Sequence, residues 1–431
     1  MTSVVGILNR EAVAIAADSA VTLGNGKIFN RALKIFTLSK YHPIGVMIYN
    51  SANFMVTPWA TIIKMYREQL GDKAHPTVRK YQEDFIAFLH QKNFFSSPDF
   101  QKNYFSDVIK SLFFGINDLA FKGNENILTQ ATPENLVKRV ELLNLEIDKY
   151  LKNWEPIPTT CPEFVTYSYE DFLKYINNTY EAAVKEVYTD HGTNLSKEVS
   201  DKFKKYFYNV IIKTGAYPSY TGIVFVGFGE DEIYPALVPI TVYLAFDNKL
   251  KFFVDENSAR AITDTNATGI CPFGQTEAID TILTGVSPKL EETYSQNFVK
   301  FFEKYNKEII KHTKDPGGVI SGYFAGINLN DLKNEYIKDV IEAKQQNYIF
   351  PLFNAVASLS KEDLAEMAQS LIHLTFLQKR ITSAQEDVGG DVDVAIISKG
   401  DGFIWIKRKH YFSRELNEHF FMNYFNNRNS K

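Results

Sequence analysis

The chain has 431 residues, with 47 Lys and Arg against 51 Asp and Glu, a formal net charge of −4, 45% hydrophobic residues, 34 Phe, 24 Tyr and 3 Trp. That composition excludes a disordered chain and supplies no general basic field for nucleic acid, and at about 150 residues per domain the length corresponds to two or three domains. Only Cys161 and Cys271 are present, which excludes a disulfide scaffold and offers no metal-ligand spacing.

The first residues lack the basic start and long apolar run of a signal peptide, and no stretch of about 18 apolar residues spells a membrane span. These features predict a cytoplasmic protein with no nucleic-acid and no membrane partner. Residues 3–8 and 12–17 are apolar runs around Asn9-Arg10-Glu11, which predicts a β-hairpin with a three-residue loop. A turn at Gly24-Asn25-Gly26-Lys27 precedes strand text over 28–38, and 44–48 is a further strand.

From about 54 to 214 the period becomes helical. Thr132 reads as an N-cap with Pro133 in the first turn, and Leu136, Val140, Leu143, Ile147 and Leu151 then line one helix face. Helices are also predicted over 60–70, 78–90, 105–121, 169–188 and 197–213. Strands return at 222–226, 239–245 and 250–254, followed by helices at 276–283, 295–313 and 337–346. Ser360 with Asp363 three positions on opens another helix, to about 379. Segments 392–397 and 403–406 form a last hairpin, and Lys407-Arg408-Lys409-His410 reads as a solvated basic cluster. Strands at both ends must pair with each other or with the middle block, which predicts an α+β layered domain carrying two helical insertions.

The hairpin register with Leu8 and Ala12 as the last pair sets Thr2 opposite Asp18. If Met1 is removed, Thr2 gains a free α-amine whose unperturbed pKa, about 7.7–8.0, leaves part of it neutral near pH 7. Such an amine serves as general base for its own hydroxyl. A neighbouring ammonium depresses the pKa of both groups, and a carboxylate holds that ammonium in place. Lys34 on the next strand is the candidate cation and Asp18 its anchor. On residue chemistry alone, all three also suit solvated strand positions.

Thr2-Ser3-Val4-Val5-Gly6-Ile7, Ala16-Ala17-Asp18-Ser19-Ala20-Val21-Thr22-Leu23-Gly24-Asn25 and Lys34-Ile35 together resemble the start of a proteasome β-type subunit, the Thr-Leu-Gly-Asn stretch being closest to HslV-type peptidases. In that family the Asp and Lys follow the terminal Thr by 16 and 32 positions, and Asp18 and Lys34 stand at those spacings from Thr2. Glu386-Asp387-Val388-Gly389-Gly390-Asp391-Val392-Asp393 resembles the family's late acidic, glycine-containing stretch, and Gly400-Asp401-Gly402 its last hairpin.

The resemblance implies a four-layer αββα Ntn-hydrolase (proteasome-like) sandwich with two large helical insertions. Its core would comprise 1–56, 216–285 and 361–412, the insertions 57–215 and 286–360, and the tail 413–431. It implies Thr2, Asp18 and Lys34 as the catalytic set, Tyr49 at the oxyanion position with its main-chain N–H as donor, and Ser19 and Asp387 in support. Tyr49 stands where the family has Gly, Phe273 where it has a serine, and Val388 within the altered Asp-x-x-Ser-Gly-Gly stretch. The implied activity is amide-bond hydrolysis on a peptide or protein substrate, with no metal or organic cofactor, self-association into a homo-oligomer of ring type, and an ATP-dependent unfoldase as the family's partner. A small-molecule amidase of the same fold and a catalytically inactive structural or binding relative stand as alternatives.

Overall fold

The structure is a computed structural model that describes residues 2–22, 28–29, 32–129, 132–155, 160–215, 219–382, 389–410, 412–413, 415–419 and 422. The turn expected at Gly24-Asn25-Gly26-Lys27, and most of the 413–431 tail, lie outside those residues.

Among the described residues, ten strands and the two-residue strand Arg260–Ala261, which pairs with Ala236 and Leu237, build two antiparallel sheets. In chain order the ten are β1 (Ser3–Asn9), β2 (Ala12–Ala17), β3 (Ile35–Thr37), β4 (Ile44–Asn50), β5 (Thr221–Gly227), β6 (Ala236–Phe246), β7 (Lys249–Val254), β8 (Thr268–Gly274), β9 (Asp393–Ser398) and β10 (Gly402–Lys407). One sheet has the order β8-β1-β2-β9-β10 and the other β7-β6-β5-β4-β3. The first and last hairpins thus share one sheet, one of the two pairings that the strand text at both ends left open.

Every residue of β1 and β2 is buried. Strands covered on both faces read as unbroken apolar runs, which is why these two show little alternation. Val4, Leu8, Val13, Ile15 and Ala17 face Met47, Val224, Val226 and Leu237 of the other sheet. The sheets approach so closely that a Cβ on Gly45 would stand 2.7 Å from the Phe403 ring.

Helices cover the outer faces. Val5, Ile7, Ala14, Ala16 and Ile396 pack on Leu364, Ala368, Leu371 and Ile372 of α11 (Lys361–Thr382). Ser360 Oγ accepts the Asp363 N–H at 3.2 Å at the start of that helix, as its sequence predicts. On the other sheet, Val46, Ile48, Phe225 and Ile240 pack on Trp59, Ile62 and Tyr66 of α1 (Trp59–Leu70) and on Phe85 and Leu89 of α2 (Val78–Gln91).

Helices α3 (Pro98–Ala120), α4 (Pro133–Trp154), α5 (Tyr169–Val187) and α6 (Lys197–Ile212) bury a core of their own. The Phe113 ring lies 5.0, 4.9 and 5.1 Å from those of Tyr188, Phe203 and Phe207, all edge-on, the favoured aromatic geometry. Phe246 of β6 joins this core through Phe105 at 4.7 Å and Tyr175 at 4.6 Å. Thr132 caps α4 by accepting the Asn135 N–H.

Further helices are α7 (Glu277–Thr284), α8 (Pro288–Thr313), α9 (Leu329–Lys344) and α10 (Phe350–Ala357), beside the short Asn126–Thr129 and Val319–Ala325. Helices α8 and α9 meet through Phe298 stacked on Tyr336 at 5.1 Å, and through Lys344 and Glu291 at 2.5 Å. Neither helix contains a buried residue.

The hairpin register differs from expectation by one residue. Val4 pairs Ala17 and Leu8 pairs Val13, so the turn has two residues, Arg10 and Glu11, and Ser3 rather than Thr2 lies opposite Asp18. The cause is Asn9, whose side-chain oxygen accepts the N–H groups of Glu11 and Ala12 at 3.0 and 3.1 Å. This local bond closes the turn one residue tighter than the apolar text suggests. The strand expected over 28–38 is also interrupted, with Ile28–Phe29 pairing separately with Val21–Thr22.

Candidate active site

Thr2 leads directly into β1 and is buried, at 5% exposure. Its carbonyl accepts the Gln275 N–H at 2.8 Å. Gly274, at the end of β8, has φ +80°, and a Cβ there would lie 2.1 Å from the Thr2 carbonyl oxygen. Glycine is therefore the residue this approach permits. The segment Phe273-Gly274-Gln275 thus forms one wall beside Thr2.

Asp18 forms the other side. The Asp18 N–H donates to the Ser3 carbonyl at 3.1 Å, and the Ser3 N–H donates to Asp18 Oδ1 at 2.8 Å. The peptide that links Thr2 to Ser3 is thereby held by a buried carboxylate. Lys34 Nζ donates to the same Oδ1 at 2.7 Å and to the Ala20 carbonyl at 2.6 Å, while the Ala20 N–H donates to Asp18 Oδ2 at 3.1 Å. Lys34 stands at the entry to β3, in the second sheet, so the ion pair bridges the two sheets.

Burial raises the Asp18 carboxyl above its ordinary value, and the Lys34 charge and its hydrogen bond oppose that. Burial likewise lowers Lys34, with Asp18 opposing and the positive charge of Lys409 adding to the fall. Three hydrogen bonds to the carboxylate, and one from the ammonium to the Ala20 carbonyl, compensate the pair for its burial.

Tyr49 lies on β4 opposite Gly222 of β5. Its ring stacks on Phe273 at 5.5 Å and covers Gly222, and burial raises its hydroxyl above the ordinary value. The Ile48 N–H donates to the Lys34 carbonyl and the Ser51 N–H to the Tyr220 carbonyl. Alternation along an antiparallel strand therefore turns the Tyr49 N–H into the ladder towards Gly222, so an oxyanion role at Tyr49 requires that bond to be given up. Ser19 is fully buried, with its Oγ donating to the Asp391 carbonyl and its N–H to the Gly389 carbonyl. Its hydroxyl ties the segment after β2 to the one before β9. Asp387 lies outside the described residues, as does Met1.

Among the described residues no group of three or more His, Cys, Asp or Glu is placed to hold a metal ion, and no helix is long and apolar enough to cross a membrane.

No protein-family model matches this chain, and no curated protein does. Solved structures similar to it include a Gly-1 mutant of Anbu from Hyphomicrobium sp. strain MC1, at TM-score 0.28 and 10% identity over 100% of this chain and 98% of that one. A helical assembly of the Anbu complex from Pseudomonas aeruginosa gives 0.27 and 9% over 100% and 97%. Anbu (ancestral beta-subunit) from Yersinia bercovieri gives 0.26 and 9% over 98% and 94%. At these scores the likeness carries no argument about fold or chemistry.

Two features of the site escape a reading of the sequence. Strand β8 is hidden by Gly269, Pro272 and Gly274, although proline is at home on an edge strand and β8 is an edge. Lys409, read as solvated, instead holds its side chain, 9% exposed, against the buried Asp393, with Nζ to Oδ2 at 2.5 Å. Extending the β9–β10 register beyond Val394 and Lys407 brings Lys409 to the Asp393 end of the hairpin, which is the signal that finds it.

Proposed function

We propose that the chain is a threonine-nucleophile amide-bond hydrolase of Ntn type, a proteasome-like peptidase, acting once Met1 has been removed. The observation that carries this reading is the Asp18 carboxylate, which binds both the peptide following Thr2 and the Lys34 ammonium within 2.8 Å. Two facing antiparallel sheets with helices on their outer faces support the αββα arrangement that the reading requires.

In this reading Thr2 Oγ attacks the amide carbonyl as the Thr2 α-amine takes its proton. The tetrahedral intermediate collapses to an acyl ester, the amine proton passes to the leaving nitrogen, and water activated by the same amine releases the acid. The Lys34 charge favours the neutral amine and the developing alkoxide, and Asp18 fixes Lys34. The oxyanion donor is a main-chain N–H other than that of Tyr49.

A catalytically inactive relative is the second reading, favoured by the burial of Thr2 and by the ladder position of Tyr49. One experiment separates the two. The full chain, its intact mass checked for loss of Met1, is treated with a β-lactone or epoxyketone, and the adduct is mapped. A Thr2 adduct, absent from Thr2→Ala of unchanged melting temperature, supports the hydrolase. Retained Met1 with no adduct favours the inactive relative.

Self-association is part of the proposal. Helices α8 and α9 carry exposed Leu290, Tyr294, Phe301, Tyr305, Leu332 and Tyr336, and a helix pair with no buried residue gains stability by covering such a face.

A further inference from the structure

Asp393 opens β9 opposite Ala17 of β2, on the strand face from which Ala395 and Ile397 reach the space between the sheets. Its carboxylate is fully buried. Oδ1 accepts the Lys409 N–H at 2.9 Å, and Oδ2 accepts Lys409 Nζ at 2.5 Å. Asp18 is the residue after Ala17. Two carboxylate–ammonium pairs, each on a fully buried carboxylate, therefore occupy the same end of the inter-sheet space: Asp18–Lys34 bridges the sheets, and Asp393–Lys409 ties the segment after β10 to the start of β9.

We propose that Lys409, seated by Asp393, is a positioning residue for the Thr2 site, acting on Lys34 as a second cation at the same end of the inter-sheet space. A like charge nearby disfavours the ionised form of Lys34, and a carboxylate on each cation keeps both in place. Among the described residues, the charged groups acting on Lys34 are Asp18 and Lys409, with Asp393 held against Lys409. The second cation adds positive potential beside Thr2, which favours a neutral α-amine and a stabilised alkoxide. It also makes the site depend on seating the end of the last hairpin. Its consequence for catalysis rests on the threonine-hydrolase reading; its electrostatic core does not.

The test is direct titration of Lys34 in the full chain by 13C-lysine NMR, the signal assigned by its loss in Lys34→Met. In Lys409→Met the Lys34 midpoint is expected to rise, since a like charge is removed. That variant leaves Asp393 buried without its cation, so Asp393→Asn with Lys409→Met, which leaves no charge at either position, is measured beside it and is expected to move Lys34 in the same direction. An unmoved midpoint in the folded double variant overturns the proposal. A moved midpoint in a chain that forms no Thr2 adduct leaves the proposal standing and overturns the hydrolase reading instead.

Discussion

Ser3 and Asp18 hold each other twice, main chain to main chain at 3.1 Å and Ser3 N–H to carboxylate at 2.8 Å. The second bond enlists the same oxygen that receives Lys34, so Asp18 cannot be neutralised without stranding a buried cation. Asp18→Asn is expected to cost about 3–5 kcal/mol, the penalty for breaking a buried pair from one side. Asp18→Asn with Lys34→Met should regain most of it, because no uncompensated charge is left. Urea unfolding of the four chains in the cycle measures both; equal losses in the single and double variants would refute a coupled pair.

Asn9 sets the register that brings Ser3 opposite Asp18. Besides closing the turn, its Nδ2 donates to the carbonyls of Val356 at 3.3 Å and Leu359 at 2.9 Å. Asn9→Ala removes four hydrogen bonds at a buried position and is expected to cost about 2–3 kcal/mol. A denaturant midpoint shift without a change of slope would confirm a native-state effect.

The same residue shows what a sequence reading reaches. Apolar periodicity located β1, β2 and the helices that cover the sheets, because those elements are defined by burial. It missed the register by one, because register hung on a side-chain bond inside the turn, and a slip of one residue exchanges the two faces of a strand. The spacing of Thr2, Asp18 and Lys34 was legible as a pattern along the chain. The partner of Lys409 was not, since a basic run looks solvated until the pairing of β9 with β10 sets it against a buried acid.

Gly274 is the point where the wall of the site meets the Thr2 carbonyl. Gly274→Ala faces both a positive φ of 80° and a Cβ 2.1 Å from that oxygen, so the main chain at Thr2 must shift. The expected cost is about 1–3 kcal/mol, together with at least a tenfold loss in the rate of Thr2 adduct formation if the hydrolase reading holds, about 1.4 kcal/mol in barrier. An unchanged melting temperature would show that the approach relaxes freely.

Lys251 is fully buried in β7, bonded to the Val210 carbonyl of α6 and lying 4.6 Å from the Tyr243 ring centre. Burial lowers it from 10.5 to about 8. A depressed folded-state value contributes stability that is present above the unfolded value and lost as pH falls through the folded one. Lys251→Met should therefore be most stabilising relative to the parent below pH 8, the advantage shrinking between pH 8 and 10.5. Melting curves of both chains across that range test it; a difference independent of pH would mean that Lys251 titrates as it does in water.

The α8–α9 pair gives the last prediction. A helix of 26 residues spans about 39 Å, and on α8 Leu290, Tyr294, Phe301 and Tyr305 repeat at four, seven and four residues, one face of a helix. Phe301 is 65% exposed. If this face joins copies of the chain, Tyr294→Glu with Phe301→Glu places two carboxylates in an apolar contact and should reduce the assembled species at least tenfold at fixed concentration in sedimentation velocity. The fold should survive, because neither side chain is buried within the chain. Far-UV circular dichroism of the same samples separates dissociation from unfolding, and an unchanged sedimentation profile would exclude α8 from the interface.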